Sequence, residues 1–125
     1  MGNPVVHFEV TGKDGKALQA FYQKLFDWQI DSNNPMAYGL VSTGDGIPGG
    51  IGAGDGSDEA SWVTFYVEVE DPKATLDEVE KLGGKVRLPV TDVPGGPTMA
   101  LFCDPEGHLI GLVKAEDHPH PHLAS

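Results

Sequence analysis

The sequence has little positive charge, one cysteine and no long apolar run. Its 125 residues include 8 Lys and Arg against 19 Asp and Glu, which gives a formal net charge of −11. Because proteins hold nucleic acids and anionic membranes largely through Lys and Arg, this balance argues against both partners. Cys103 alone permits no internal disulfide and no multi-cysteine metal site. Without an apolar span or a signal-peptide pattern at the start, the chain is predicted to be cytoplasmic.

Glycine and proline, by contrast, are abundant. The chain contains 17 glycines and 10 prolines. Both residues interrupt helix interiors and mark turns, so a helical bundle is excluded. Many short strands joined by turns are predicted instead.

An internal repeat organises this turn-rich chain. A shift of 57 residues superposes residues 6–25 on 63–82 without a gap, and eight of the twenty pairs are identical. Each copy opens with a β-rich run and continues into a helix whose N-cap is an acid, Asp14 in the first copy and Asp71 in the second. Three extended stretches divided by turns follow each helix, so both halves are predicted to be βαβββ units.

The repeat also predicts the domain organisation. The two halves are each too short to bury a core alone, so we expect one domain over residues 1–115. Within it, repeat one covers 5–53, a linker rich in Gly, Asp and Ser covers 54–60, and repeat two covers 61–114. Residues 116–125 form a C-terminal tail.

The first strand of each repeat has two dissimilar faces. Identical pairs lie on one face (Val6 with Val63, Phe8 with Phe65, Val10 with Val67), and this face is predicted to pack against the helix. On the opposite face, none of the aligned residue pairs is identical. A charged Glu9 would be costly in a dry core, so this face is predicted to line a wet cavity. Its principal residues are His7, Glu9, Trp62, Thr64 and Tyr66.

Two βαβββ halves in a chain of this length, with Asp-Pro-Glu-Gly-His-Leu-Ile-Gly-Leu at 104–112, resemble the vicinal oxygen chelate superfamily. This superfamily contains glyoxalases, bleomycin-resistance proteins and extradiol dioxygenases, and the resemblance covers residues 5–114. It implies an α+β fold in which two βαβββ repeats form curved mixed sheets around a cavity. It also implies a homodimer and a small-molecule ligand.

The same resemblance implies positions for a metal site. Metal-using members place a ligand, typically His or Glu, on the first and last strand of each half. Those positions fall here on His7, Gly50, Thr64 and Gly111. A catalytic zinc ion usually takes three protein ligands, and only His7 is a good one, so no metal cofactor is expected. The alternative is a divalent metal site rebuilt around His7 and Glu9.

Three functions follow from these observations. The leading hypothesis is metal-independent binding of an amphipathic or cationic small molecule, as the bleomycin-resistance branch implies. The second is a metal-dependent lyase, isomerase or dioxygenase of the same superfamily, and the third is a non-catalytic interaction subunit. Whether the chain is an enzyme stays open at this point. The predicted ligand-binding residues are His7, Glu9, Tyr38, Trp62, Thr64 and Tyr66.

Other patterns favour structural interpretations. Residues 44–49 match the spacing Gly-x-Gly-x-x-Gly, but Pro48 and further glycines follow where a dinucleotide loop needs a helix, so a hairpin turn is predicted. Cys103 is predicted to be a buried structural thiol. The tail alternates histidine with proline at His118, His120 and His122, which allows weak metal binding but favours an irregular tail.

Overall fold

The chain folds into two successive βαβββ units, as the repeat predicts. The computed structural model describes residues 2–54 and 61–115. The first half contains β1 (Val5–Thr11), α1 (Gly15–Phe26), β2 (Gln29–Asp31), β3 (Gly39–Ser42) and β4 (Gly49–Gly52). The second half contains β5 (Trp62–Val69), α2 (Pro72–Lys81), β6 (Lys85–Asp92), β7 (Thr98–Cys103) and β8 (Leu109–Lys114). Within these described ranges, no helix is long and apolar enough to cross a membrane.

Both helices begin at the predicted acids. The carboxylate of Asp14 accepts a hydrogen bond from the backbone N–H of Ala17 at 3.0 Å, and that of Asp71 accepts one from Ala74 at 3.2 Å. Each acid therefore pairs a backbone donor that the first turn of its helix leaves without an acceptor. Gly83, which follows the C-cap residue Leu82 of α2, has the positive φ of 98° that a helix-ending glycine typically adopts.

Replacing Asp71 by alanine is expected to lower the free energy of unfolding by about 1 kcal/mol, because the Ala74 N–H loses its acceptor. Urea denaturation of the intact chain measures this change. Asp71→Asn keeps a side-chain oxygen at the cap and is expected to stay within a few tenths of a kcal/mol of the wild type. Equal losses in the two variants would contradict a capping role.

The chain divides into two compact units. The N-terminal unit is Val5–Tyr66, and the C-terminal unit holds the described residues before and after it. In the N-terminal unit the strand order is β2-β3-β4-β1-β5, with β1 parallel to β4 and the β2/β3 and β3/β4 pairs antiparallel. The first part of β5 thus lies beside β1, the strand to which the repeat relates it.

The C-terminal unit has its own apolar core. Strands β6, β7 and β8 pair antiparallel, and α2 packs on them. The core cluster consists of Val69, Leu76, Ala100 and Leu112, which are at most 7% exposed. Leu76 of α2 faces this core. The parallel and antiparallel strand pairs together with the two helices confirm the predicted α+β class.

One face of β5 was predicted to pack against a helix, and this prediction is wrong for the first half of the strand. Val63 is 77% exposed and Phe65 is 40% exposed, whereas Thr64 and Tyr66 between and after them are buried. The burial of the polar face has a physical reason: the Tyr66 hydroxyl is used in a hydrogen bond to Glu9. In β1 the apolar face does pack, since the Phe8 ring lies 5.5 Å from that of Trp28.

Candidate functional site: a buried carboxylate among aromatic donors

Glu9 is the centre of a polar cluster in the N-terminal unit. Its side chain is 8% exposed and accepts three hydrogen bonds. Trp62 Nε1 donates to Oε1 at 2.8 Å, the Tyr66 hydroxyl donates to the same oxygen at 3.1 Å, and the Tyr38 hydroxyl donates to Oε2 at 2.8 Å. Strand β1 supplies the acceptor, β5 supplies two donors, and the segment before β3 supplies the third.

His7 extends the cluster by one further contact. It lies two residues before Glu9 on the same face of β1, and its Nε2 is 3.0 Å from the Tyr38 hydroxyl oxygen. The imidazole stacks near the Tyr38 ring and meets the Tyr66 ring edge to face, at centroid distances of 6.3 and 5.5 Å. We call His7, Glu9, Tyr38, Trp62 and Tyr66 the Glu9 cluster.

The structure therefore brings together five of the six residues predicted to bind a ligand. The sixth, Thr64, is also buried and lies between Trp62 and Tyr66 on the same face of β5. Its hydroxyl is 3.3 Å from the carbonyl oxygen of Phe65, a long hydrogen bond to its own neighbour. Three aromatic donors surround the Glu9 carboxylate, which is 8% exposed, so this part of the predicted cavity wall is buried.

Tyr38 occupies the space above Gly50. Gly50 pairs with Glu9 in the parallel β1/β4 ladder, and a Cβ added to it would overlap the Tyr38 ring and hydroxyl. Gly50 is the position at which the family resemblance implies a metal ligand. A tyrosine from the neighbouring segment thus fills the space that a ligand side chain would need.

Two polar side chains that the sequence reasoning missed hold Tyr38 in this position. Asn34 clamps its backbone: the Asn34 amide nitrogen donates to the Tyr38 carbonyl at 2.7 Å, and the Asn34 side-chain oxygen accepts from the Tyr38 N–H at 3.0 Å. Gln19 of α1, 8% exposed, donates to the carbonyls of Ala37 and Ile51 at 3.2 and 2.7 Å. These bonds tie the segment before β3 to both α1 and β4.

The repeat contained a signal for Gln19. The shift of 57 residues aligns Gln19 with Leu76, which is a core residue of the C-terminal unit. A polar amide at the position of a core leucine predicts a buried hydrogen-bonding role, because an unpaired buried amide is costly. No comparable signal marks Asn34, since Asn-Pro is typical of any turn.

An open groove of about 680 Å³ lies elsewhere in the N-terminal unit, and its lining is mostly apolar. The groove is lined by the end of β1, the loop that follows β1, the N-terminal half of α1 and the start of β5. Only Trp62 belongs both to this groove and to the predicted site. Its main apolar lining residues are Val10, Ala17, Leu18, Phe21, Trp62 and Val63.

Burial and charge shape the proton affinities of the cluster. Burial lowers the pKa of His7 below its usual value, and the nearby Glu9 only partly opposes this. Burial, together with the charge of Glu9 and the hydrogen bond to it, raises the pKa of both Tyr38 and Tyr66 far above the usual tyrosine range. The two phenols therefore stay protonated and act as donors, while the imidazole is neutral at neutral pH.

The lowered pKa of His7 predicts a loss of stability in mild acid. In the unfolded chain His7 takes up a proton near pH 6.5, whereas in the folded chain it does so only at lower pH. Stability is thus fully present above about pH 6.5 and falls as the pH drops below that value toward the folded-state pKa. Urea denaturation between pH 7.5 and 5 should show this slope in the wild type and a smaller one in His7→Gln. Identical slopes would contradict the assignment.

Two of the remaining motifs are turns, as predicted. Gly44 and Gly46 have φ values of 95° and 91° and join β3 to β4, so the glycine-rich stretch is a hairpin turn, as predicted. In the Asp-Pro-Glu-Gly turn, Asp104 accepts hydrogen bonds from the N–H groups of Glu106 and His108 at 3.0 and 2.9 Å. Cys103 is a free thiol of intermediate burial, less buried than predicted. His118, His120 and His122 lie outside the described residues.

Comparison with known proteins places this fold in a family. The profile of the Glyoxalase/Bleomycin resistance protein/Dioxygenase superfamily matches residues 5–112, and the chain belongs to this superfamily. A glyoxylase-like domain-containing protein of Didymella fabae is 31% identical over 108 residues, which cover 80% of this chain and 84% of that protein.

Solved structures share the fold at low sequence identity. A hypothetical protein from Bacillus halodurans C-125 has a TM-score of 0.68 at 12% identity and covers 96% of this chain and 99% of its own. A superfamily member from Vibrio splendidus 12B01 has a TM-score of 0.60 at 18% identity, covering 90% and 98%. Streptomyces coelicolor methylmalonyl-CoA epimerase, in complex with 2-nitronate-propionyl-CoA, has a TM-score of 0.62 at 15% identity, covering 95% and 99%.

The residues at the metal-ligand positions do not fit a divalent ion. Gly50 and Gly111 offer no side-chain donor, the neutral hydroxyl of Thr64 is a poor one, and Tyr38 fills the space above Gly50. His7 Nε2 faces the Tyr38 hydroxyl. In residues 2–54 and 61–115, no three His, Cys, Asp or Glu side chains converge on a common point. That the site works without a metal ion stays a prediction. The scarcity of metal-binding side chains at these four positions favours it.

Proposed function

We propose that this protein binds a small amphipathic or cationic molecule at the Glu9 cluster without a metal ion. The observation that carries the proposal is the replacement of the metal-ligand set by a carboxylate surrounded by three aromatic donors. Aromatic rings offer apolar contact and attract cations through their faces, and a nearby carboxylate adds charge attraction. His7, Tyr38 and Trp62 are the partly exposed members through which a ligand would reach the cluster.

A structural role alone explains the buried carboxylate poorly. Burying a carboxylate without a cationic partner costs several kcal/mol, and a well-packed apolar group of similar volume is often as stable or more so. No Lys or Arg contacts Glu9 among the hydrogen bonds and ion pairs of the described residues. The retention of this charge in a neutral aromatic surrounding therefore supports a function that uses it.

Thermal denaturation with matched ligands tests the proposal. Aromatic cations such as benzylammonium and benzamidinium are compared with their neutral isosteres, benzyl alcohol and benzamide. A ligand at 100 times its Kd adds about 2.7 kcal/mol to the free energy of unfolding, which raises the Tm by several degrees. The cations should raise the Tm of the wild type more than the neutral compounds do. In Glu9→Gln this preference should disappear. Equal Tm shifts of the wild type with the cations and with their neutral isosteres would overturn the proposal.

Metal analysis tests the competing enzyme hypothesis. The untagged chain is purified without chelators, with residues 118–122 deleted so that any metal held by their histidines does not contribute to the measurement. Stoichiometric Zn, Ni, Fe or Mn that disappears in His7→Ala would overturn metal-independent binding. It would favour a lyase, isomerase or dioxygenase with a site rebuilt around His7 and Glu9. The absence of both metal and ligand binding would favour a non-catalytic interaction subunit.

Acyl-CoA thioesters are expected not to bind. One structure with this fold is an epimerase solved with an acyl-CoA analogue. The phosphates of CoA would meet Glu9 and a protein of net charge −11, so repulsion opposes their binding. Propionyl-CoA should leave the Tm of the wild type unchanged, and a clear rise would contradict the proposed ligand charge.

We also propose that the chain forms a homodimer. Large apolar side chains stay exposed on α1 and β5 in the N-terminal unit, and such residues are typical of interfaces. They are Phe21, Leu25, Phe26, Val63 and Phe65. Light scattering after gel filtration gives the mass in solution. Val63→Glu places a charge among these residues and should shift a dimer toward the monomer, whereas a monomeric wild type would end the proposal.

A further inference from the structure

The hydrogen bonds of the Glu9 cluster have only one consistent direction. A carboxylate accepts and has no proton to donate, and an indole N–H only donates. Trp62 therefore gives its proton to Glu9, and Tyr66 and Tyr38 give theirs to the same carboxylate. Each phenol has a single hydroxyl proton, so that of Tyr38 is already committed to Glu9 Oε2.

This direction fixes the tautomer of His7. The Tyr38 oxygen lies 3.0 Å from Nε2, and because its own proton is committed it can only accept. Nε2 must then carry the hydrogen. A neutral imidazole has one N–H, which leaves a lone pair on Nδ1. Burial, which lowers the pKa of His7, supports the neutral form.

Nδ1 is also the one side-chain nitrogen of the cluster that has no hydrogen bond within residues 2–54 and 61–115. His7 is only partly buried, and its sole hydrogen bond in residues 2–54 and 61–115 is the one from Nε2 to Tyr38. The two tyrosine rings on either side hold the imidazole at centroid distances of 6.3 and 5.5 Å, one stacked and one at its edge. The lone pair is thus fixed in direction by the protein.

We infer that Nδ1 of His7 accepts a hydrogen bond from the ligand, so that the ligand class is a cation with an N–H donor, such as a protonated amine. This inference rests on the proposed ligand-binding function and makes it narrower. The hydrogen bonds that link Glu9, Tyr38 and His7 orient the imidazole so that Nδ1 is an acceptor. A cation without an N–H group cannot donate to this atom. The charge of Glu9, two residues away on the same strand face, adds attraction for the cation.

Imidazole ¹⁵N NMR tests the tautomer without any ligand. At about pH 8, where the imidazole is neutral, two-bond ¹H–¹⁵N spectra should show His7 with a protonated Nε2 and an unprotonated Nδ1. Tyr38→Phe removes the phenol oxygen and should shift His7 toward a mixture of tautomers. A wild-type His7 protonated on Nδ1 would overturn the inference, as would a tautomer unaffected by Tyr38→Phe. His108, on the exposed turn, serves as an internal control in the same spectra.

Two probes then separate the hydrogen bond from the charge. Benzylammonium and benzyltrimethylammonium share the ring and the positive charge, but only the first has N–H donors. At millimolar concentration benzylammonium should shift the Nδ1 resonance of His7, and benzyltrimethylammonium should leave it in place. Equal shifts, or no shift with benzylammonium, would overturn the acceptor role.

The two proposals fail in different ways. If aromatic cations raise the Tm but the Nδ1 resonance does not respond to benzylammonium, ligand binding stands and the acceptor role of His7 is wrong. If no cation raises the Tm while the tautomer is as inferred, the proposed function is wrong and the acceptor assignment to a ligand falls with it.

Discussion

Glu9→Ala is expected to lower the free energy of unfolding by about 3 kcal/mol or more. The substitution leaves the donors of Trp62, Tyr66 and Tyr38 without their acceptor. Each buried donor that loses its partner costs roughly 1–3 kcal/mol, and Tyr66, at 6% exposure, has little access to water. Urea denaturation at neutral pH measures the loss.

Two variants make this measurement specific. Glu9→Gln keeps a side-chain oxygen for Trp62 and Tyr66 and should cost less than Glu9→Ala. Glu80→Ala removes an exposed glutamate of α2 and should change stability by no more than about 0.5 kcal/mol. If Glu9→Ala is as stable as Glu80→Ala, the three hydrogen bonds do not stabilise the fold.

Gly50→Ala is the second substitution with a large expected effect, a loss of about 3 kcal/mol. The added Cβ overlaps the Tyr38 ring, and neither side can move freely. Gly50 is held in β4 between β3 and β1, while Asn34 clamps the Tyr38 backbone. Overpacking of this kind typically costs 1–3 kcal/mol, and displacement of Tyr38 would add the loss of its hydrogen bond to Glu9.

A double-mutant cycle tests the cause of that loss. In a Tyr38→Ala background the space above Gly50 is empty, so Gly50→Ala should then cost less than about 1 kcal/mol. Gly2→Ala is the matched control, since a Cβ there meets nothing within 4 Å. An equal cost of Gly50→Ala in both backgrounds would assign the effect to the backbone of β4 instead of Tyr38.

Much of the fold could be predicted from the sequence. The repeat and the two acidic N-caps located both helices, and the turns located the strands, because these signals are local and each acts within a few residues. The apolar face of β5 was predicted wrongly for Val63 and Phe65. Identity between repeats reports a shared ancestry of positions, whereas burial depends on which neighbours each copy meets.

The candidate site was predicted in part. Strand alternation placed His7, Glu9, Trp62 and Tyr66 on common faces, and the structure joins them. Gln19 and Asn34 were missed. Their hydrogen bonds run to backbone carbonyls and amides, which every residue carries, so no side-chain pattern marks their partners.

The sequence by itself determined the two βαβββ halves, the polar faces of β1 and β5, and the lack of ligand side chains at Gly50 and Gly111. Only the tertiary structure decided that Tyr38 covers Gly50, that aromatic donors surround Glu9, and that His7 Nε2 lies beside the Tyr38 hydroxyl. The contacts behind these decisions join residues 12 to 57 positions apart. They exist because strand pairing sets β1 beside β4 and β5, and pairing between distant strands is specified by the whole sheet and not by any local pattern.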